Sequence, residues 1–243
     1  SHALALAVPT CRAYDPAYAF ELAVIIEDGI KRMYGDGESC FYYLTVMNEQ
    51  YEMPAMPEGA RDGIIKGLYR FRPAANPTAP AKAQFIGSGA ILNEVVKAQG
   101  LLERYGVAAD VWSATSYNEL YREGHAVERW NLRHPSEKAR VPHVTRCLAE
   151  APGVVVAASD YLKSQPDMIA RWVGRPMITL GTDGFGRSED RASLRDFFEV
   201  DARHVAATTV AALRREGQLD AKVVAQAFLD LEIDPDKPNP ATA

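Results

Sequence analysis

From residue 83 onward, short apolar runs alternate with stretches of helical periodicity, the pattern of a parallel sheet whose crossovers are helices. Ala83 to Ser88 reads as a strand, Ile91 to Tyr105 as a helix stopped by Gly106, and Ala109 to Ser113 as the next strand. Ser116-Tyr117-Asn118-Glu119 has the form of a capping box, with a hydroxyl and a carboxylate placed to satisfy free amides at a helix start. Further strands fit Gly153 to Ala158 and Met177 to Leu180. The tail from Arg191 reads as helical, with Asp201 and Asp220 capping segments that reach Glu216 and Leu231. Asp234-Pro235-Asp236-Lys237-Pro238-Asn239-Pro240 then breaks helix. The fold class is α/β with a mostly parallel sheet.

The first third of the chain is less complete. Asp15-Pro16 pairs an N-cap residue with a proline at the first helical position, predicting a helix that runs to Tyr34 before Gly35. Phe41 to Met47 suits a strand buried on both faces of a parallel sheet, and a second helix fits Pro57 to Phe71. Asn48 to Gly59, between them, is either a proline-stiffened connection or a binding loop at the strand's carboxyl end, where ligands collect in open α/β sheets. Arg72 to Lys82 carries three prolines and reads as an interdomain linker. The division is therefore 1–71, a linker at 72–82, and 83–243. Two helices and one strand cannot cover a buried parallel strand, so residues 1–71 read as the end of a domain. The start at Ser1 rather than Met fits a piece of a longer polypeptide.

Composition narrows the task. Lys+Arg 27 against Asp+Glu 32 gives a net charge of −5, without the basic excess of a general nucleic-acid binder. No apolar run approaches the roughly 18 residues of a membrane-spanning helix. Cys11, Cys40 and Cys147 form neither a disulfide framework nor a zinc spacing, which fits a reducing cytoplasm. His2, His125, His134, His143 and His204 show no HxH or HExxH spacing, so no metal site is expected. Gly87-Ser88-Gly89 joins a strand to a helix as dinucleotide-binding turns do, but Leu92 stands where the third glycine belongs; a tight turn is the simpler reading. Gly181-Thr182-Asp183-Gly184-Phe185-Gly186-Arg187-Ser188-Glu189-Asp190-Arg191 is the most unusual segment. Its Asp183, Arg187 and Asp190 could hold an anion, lock the loop through Arg–carboxylate bonds, or sit at an interface.

Several long strings carry a resemblance: Tyr14-Asp15-Pro16-Ala17-Tyr18-Ala19, Arg32-Met33-Tyr34-Gly35, Asn48-Glu49, Met53-Pro54-Ala55-Met56-Pro57-Glu58-Gly59, Glu128-Arg129-Trp130-Asn131, Gly181 to Ser188, and Phe198-Glu199-Val200-Asp201. In these the chain closely resembles the homodimeric pyruvate dehydrogenase family, the thiamine-diphosphate-dependent first component of the 2-oxo acid dehydrogenase complex in its bacterial single-chain form. The resemblance implies the end of a pyrimidine-binding domain followed by a transketolase-type C-terminal domain. For the parent enzyme it implies pyruvate decarboxylation, reductive acetylation of a lipoyl group on dihydrolipoyl acetyltransferase, thiamine diphosphate with Mg2+, a homodimer and a cytoplasmic location.

The family's diphosphate, magnesium and activating-glutamate sites lie upstream of the matched region, so no catalytic, cofactor-binding or metal-binding residue and no bound cofactor is expected in this portion. It is expected to serve dimer assembly and active-site framing and to be inactive alone. His2 matches the tail of a family active-site stretch and is at most a neighbour of that site. Asp183, Gly184, Phe185, Arg187 and Asp190 are the candidate interface or active-site-proximal loop. The alternatives are a free-standing binding module with the C-terminal fold, or the same portion of a 2-oxobutyrate dehydrogenase.

Overall fold

The computed structural model describes residues 2–243. After a short helix α1 (His2–Leu6), strand β1 (Cys11–Tyr14) pairs parallel to β2 (Phe41–Leu44), with Cys11 opposite Phe41 and Tyr14 opposite Leu44. The crossover between them is α2 (Ala19–Ile30), extended by a π-helical turn over Lys31–Gly35. Glu21 starts α2: its carboxylate accepts the backbone N–H groups of Ala17 (2.5 Å) and Tyr18 (3.1 Å). The helix therefore begins three residues later than Asp15-Pro16 suggested, because the buried Glu21, not Asp15, satisfies the amides at its start. β2 is also half-exposed rather than buried on both faces, since it is an edge strand of a two-stranded sheet.

Helix α3 (Ala60–Lys66) ends at Gly67, whose φ of 101° supplies a left-handed stop. The expected helix to Phe71 is thus cut short, and Tyr69–Arg72 becomes a strand, β3. β3 joins a second sheet together with β4 (Ala81–Gly87), β5 (Val107–Ser113), β6 (Val154–Ala158) and β7 (Met177–Leu180), in the order β3-β5-β4-β6-β7. β3 runs antiparallel to β5, and the other pairs are parallel. The proline-rich stretch lies between two strands of this sheet, so the chain enters the sheet before it.

The crossover helices are α4 (Ile91–Glu103), α5 (Tyr117–Arg133), with α6 (His143–Leu148) after it, and α7 (Ser164–Asp167). The tail forms α8 (Arg191–Phe197), α9 (Ala202–Arg215) and α10 (Ala221–Asp230). Ser116, Asp201 and Asp220 cap α5, α9 and α10 through Glu119, His204 and Lys222 N–H respectively.

Side-chain alternation along the central strands builds two cores. Phe85, Val111 and Val156 face Leu92, Val95 and Leu102 of α4 and Val205, Val210 and Leu213 of α9. Ile86, Trp112 and Val155 face the other way, onto Leu120, Val144, Leu148, Ile169 and Trp172. Burial on both faces is why these strands read as continuous apolar runs.

Candidate functional site

β5 lies on one side of β4 and β6 on the other, so the direction of winding reverses between β4 and β6, and the crevice at their carboxyl ends is where open α/β sheets place ligands. Here Ser88 follows β4 and Ser159 follows β6, with their hydroxyl oxygens 3.4 Å apart. The carboxyl end of the two-stranded sheet is pressed into this crevice. Asp15, the residue after β1, donates its N–H to Thr115 O (2.7 Å) and accepts from Gly89 N–H (3.1 Å). Ser116 Oγ donates to Ala13 O at 2.6 Å, Thr115 Oγ1 to Ile64 O at 2.6 Å, and Asn118 Nδ2 to His2 O at 2.9 Å. The two sheets are therefore stitched together end to end.

Asp15 is the centre of this junction. Its Oδ1 accepts from the Thr45 hydroxyl (2.7 Å), and Thr45 Oγ1 lies 3.0 Å from His2 Nε2. Burial pushes the Asp15 carboxyl up to about 6, against the opposing effect of the Thr45 and Ser88 hydroxyls. Burial pushes the His2 imidazole down to about 4. His2 thus sits inside the junction as a neutral ring, edge-on to Tyr43 and Tyr161. The sequence reads Asp15 as a helix cap and gives Thr45 no role: Tyr14-Asp15-Pro16 imitates a helix start, and only the pairing of two sheets shows otherwise.

The glycine-rich loop is ordered by different partners from those expected. Asp183 Oδ1 accepts Lys163 N–H at 3.0 Å, and Asp190 caps α8 through Ser193 N–H at 3.0 Å. Arg187 pairs with neither carboxylate. It donates to the backbone oxygen of Ala243, and its guanidinium lies 5.1 Å from the centre of the Phe197 ring. Gly184, at φ 96°, packs on Pro240 and Ala241 so closely that a Cβ would lie 2.9 Å from Ala241 Cα. Phe185 is 90% exposed at the loop's crest. Below the loop is a cleft of about 210 Å³ lined by Asp160, Thr182, Gly184, Arg187, Arg195 and Phe198. His2 does not reach this loop; it belongs to the Asp15 junction.

The Asn48–Gly59 connection is clamped beside that cleft. Glu49 receives both terminal nitrogens of Arg195, and Asn48 Oδ1 accepts from Arg191. Arg195 also reaches Glu94 at 3.4 Å, and Arg195's hydrogen bonds hold Glu49 below the usual carboxylate range against partial burial.

Asp196, Asp201 and His204 bring possible metal-ligating atoms within 4.8 Å of one another, a grouping that sequence spacing did not show. Arg203 binds both carboxylates and His204 Nδ1 lies 2.8 Å from Asp201, so the grouping is an ion-pair cluster. Nor does the Gly87-Ser88-Gly89 turn fit a diphosphate. The Asp15 carboxylate fills the space beside it, so that a Cβ on Gly89 would lie 2.7 Å from Asp15 Oδ2. An anion here would face a second anion.

Comparison with known proteins agrees with this geometry. Residues 67–201 match the family described as transketolase-like C-terminal domain, and residues 1–54 match the pyruvate dehydrogenase E1 component middle domain. The chain belongs to the transketolase-like C-terminal-domain family. Within that class, it is similar over nearly its whole length to pyruvate dehydrogenase E1 components: 49% identical over 242 residues to that of Pseudomonas aeruginosa, and 46% to those of Cupriavidus necator (241 residues) and Escherichia coli K12 (246 residues). These alignments cover 99–100% of this chain and 27% of each relative, so the chain spans about a quarter of their length. Among solved structures, a transketolase variant from Pichia stipitis superposes with a TM-score of 0.59 at 16% identity, over 88% of this chain and 26% of that one. A split-gene transketolase chain, described as an inactive β4 tetramer, gives 0.53 at 17% over 87% of this chain and 60% of that one. At those identities the likeness shows the fold.

Proposed function

We propose that this chain works as part of a pyruvate dehydrogenase first component, framing the active site and holding the dimer while other segments bind the cofactor. The observation that carries this reading is the junction itself. At the crevice where the fold would place a ligand, the chain presents the buried Asp15 carboxylate, and Thr115, Ser116 and Asn118 spend their side chains on joining the two sheets. In the parent enzyme thiamine diphosphate with Mg2+ supplies the carbanion chemistry. This chain contributes the walls: the end of a middle domain, and a C-terminal domain whose sheet opens with β3 at Tyr69 and so takes in the 72–82 stretch that reads as a linker.

The loop at Gly181–Arg191 is proposed as a contact between protomers or domains. The loop is held by Thr182 N–H on Tyr161 O, the Thr182 hydroxyl on Asp160 O, the Asp183 carboxylate on Lys163 N–H and packing on the C-terminal segment, while Phe185 at its crest is free to enter a partner's pocket. No helix among the described residues is long and apolar enough to cross a membrane, and we place the parent complex, with its acetyltransferase and lipoyl partner, in the cytoplasm.

The test is pyruvate-dependent reduction of a redox dye, with thiamine diphosphate and Mg2+ present. The 243-residue chain alone is expected to give none; turnover by that chain, with intact mass confirmed, would overturn the reading. Pyruvate is preferred over 2-oxobutyrate on the names of the relatives. A free-standing binding module is excluded if the reading frame continues upstream into the remainder of the enzyme.

A further inference from the structure

We infer that a single internal water is held between the two sheets, bridging the Asp15 carboxylate and the Tyr117 hydroxyl. Asp15 Oδ2 and Tyr117 Oη are both shut off from solvent, and neither has a partner in hydrogen-bond geometry among the described residues, the nearby Ser88 hydroxyl being turned to Ser159. The two side chains line one cavity of about 10 Å³, together with His2, Ser88, Tyr161 and Gln165. That is the space one water needs, roughly 10–15 Å³, and nothing larger fits. The polar lining supplies the two to four partners that a buried water requires.

The protein groups around the cavity are largely committed elsewhere. Thr45 donates to the other Asp15 oxygen, Ser116 donates to Ala13 O, and the Gln165 amide donates to Asn118 Oδ1. A water between the two oxygens satisfies both: it accepts the Tyr117 O–H and donates to Asp15 Oδ2. Its second proton points to another lining oxygen such as Ser88 Oγ. Asp15 leaves the end of β1, and Tyr117 opens α5 directly after β5. The water therefore adds a side-chain bridge to the backbone bonds that Asp15 makes with Thr115 and Gly89, at the same seam. Burial raises the Asp15 carboxyl, and a donor at Oδ2 works against that rise by favouring the ionised form.

The chemistry of removal decides the matter. Deleting a hydroxyl that is satisfied by water breaks one end of the bridge, leaves the buried water short of a donor and costs stability, whereas deleting a hydroxyl that had no partner costs nothing or stabilises. Tyr117→Phe in the 243-residue chain is expected to lower the thermal midpoint by about 2–6 °C. A high-resolution crystal structure of the unsubstituted chain is expected to show a density peak within hydrogen-bond distance of both oxygens. An unchanged or raised midpoint overturns the inference. So does a crystal structure in which the Asp15 oxygen is bonded directly to Ser88 or Tyr117 with no peak between, and that observation stands whether or not the variant folds.

Discussion

Glu21 has no exposed surface, yet its carboxylate takes four donors: the N–H groups of Ala17 and Tyr18, the Tyr69 hydroxyl at 2.6 Å and the Ser113 hydroxyl at 2.6 Å. One side chain thereby starts α2 and ties it to β3 and β5. Glu21→Ala strands four buried donors, and urea denaturation is expected to show a loss on the order of 3 kcal/mol or more. Gly89→Ala should be costly for a different reason: φ is 48° there, and the new methyl would meet the Asp15 carboxylate. Asp15 and His2 also set the pH response. Asp15 titrates near 6 in the fold against 3.8 when free, so the native state holds its proton more tightly, and its contribution to stability falls as pH rises between about 4 and 6. His2 titrates near 4 against 6.5, so its contribution rises between about pH 4 and 6.5. The two slopes offset each other. Asp15→Asn removes the falling slope, so the stability of the variant relative to the unsubstituted chain should climb by on the order of 2 kcal/mol from pH 4 to 6.5; a difference that falls over that range would contradict the assignment.

Among the elements, the Asn48–Gly59 connection and α8 are joined by charge rather than by packing. Arg195 is only 13% exposed and grips Glu49 with both terminal nitrogens while reaching the buried Glu94. Arg195→Ala leaves both carboxylates without that partner. It is expected to cost about 1–3 kcal/mol and to make Asn48–Gly59 the first site of limited proteolysis; a cleavage pattern identical to the parent's would show that the clamp does not hold the loop. Strands β4 to β7 and helices α4, α5, α8, α9 and α10 were legible in the sequence, because strands buried on both faces and helices with capped ends leave strong local patterns; the short α6 and α7 were not. Ser116, Asp201 and Asp220 cap where their spacing said they would. β3 was hidden because Tyr69-Arg70-Phe71-Arg72 follows a helical run, although Gly67 was a readable stop signal. The candidate loop was visible from its glycines, but its partners were not: Arg187 meets Ala243 and Phe197, and Asp183 meets Lys163, pairings that tertiary contact alone creates.

For the molecule as a whole, the decisive feature is that two sheets of unequal completeness meet at their carboxyl ends. The five-stranded sheet is covered on both faces, while the two-stranded sheet and its crossover helix leave Phe41 at 49% exposure and Ile30 and Tyr34 at 55% and 82%, and β2 has one edge unpaired. Such a surface asks for cover. Sedimentation of the 243-residue chain is expected to show concentration-dependent association, reduced in Phe41→Lys; a monomer at all concentrations would show that the face tolerates water. The central claim is that this chain frames a site whose cofactor-binding groups lie in other segments. Its most direct test is a calorimetric titration of the purified 243-residue chain with thiamine diphosphate in the presence of Mg2+. The expected result is no saturable heat. Stoichiometric binding at micromolar concentration, by a preparation whose intact mass is that of these 243 residues, would contradict it.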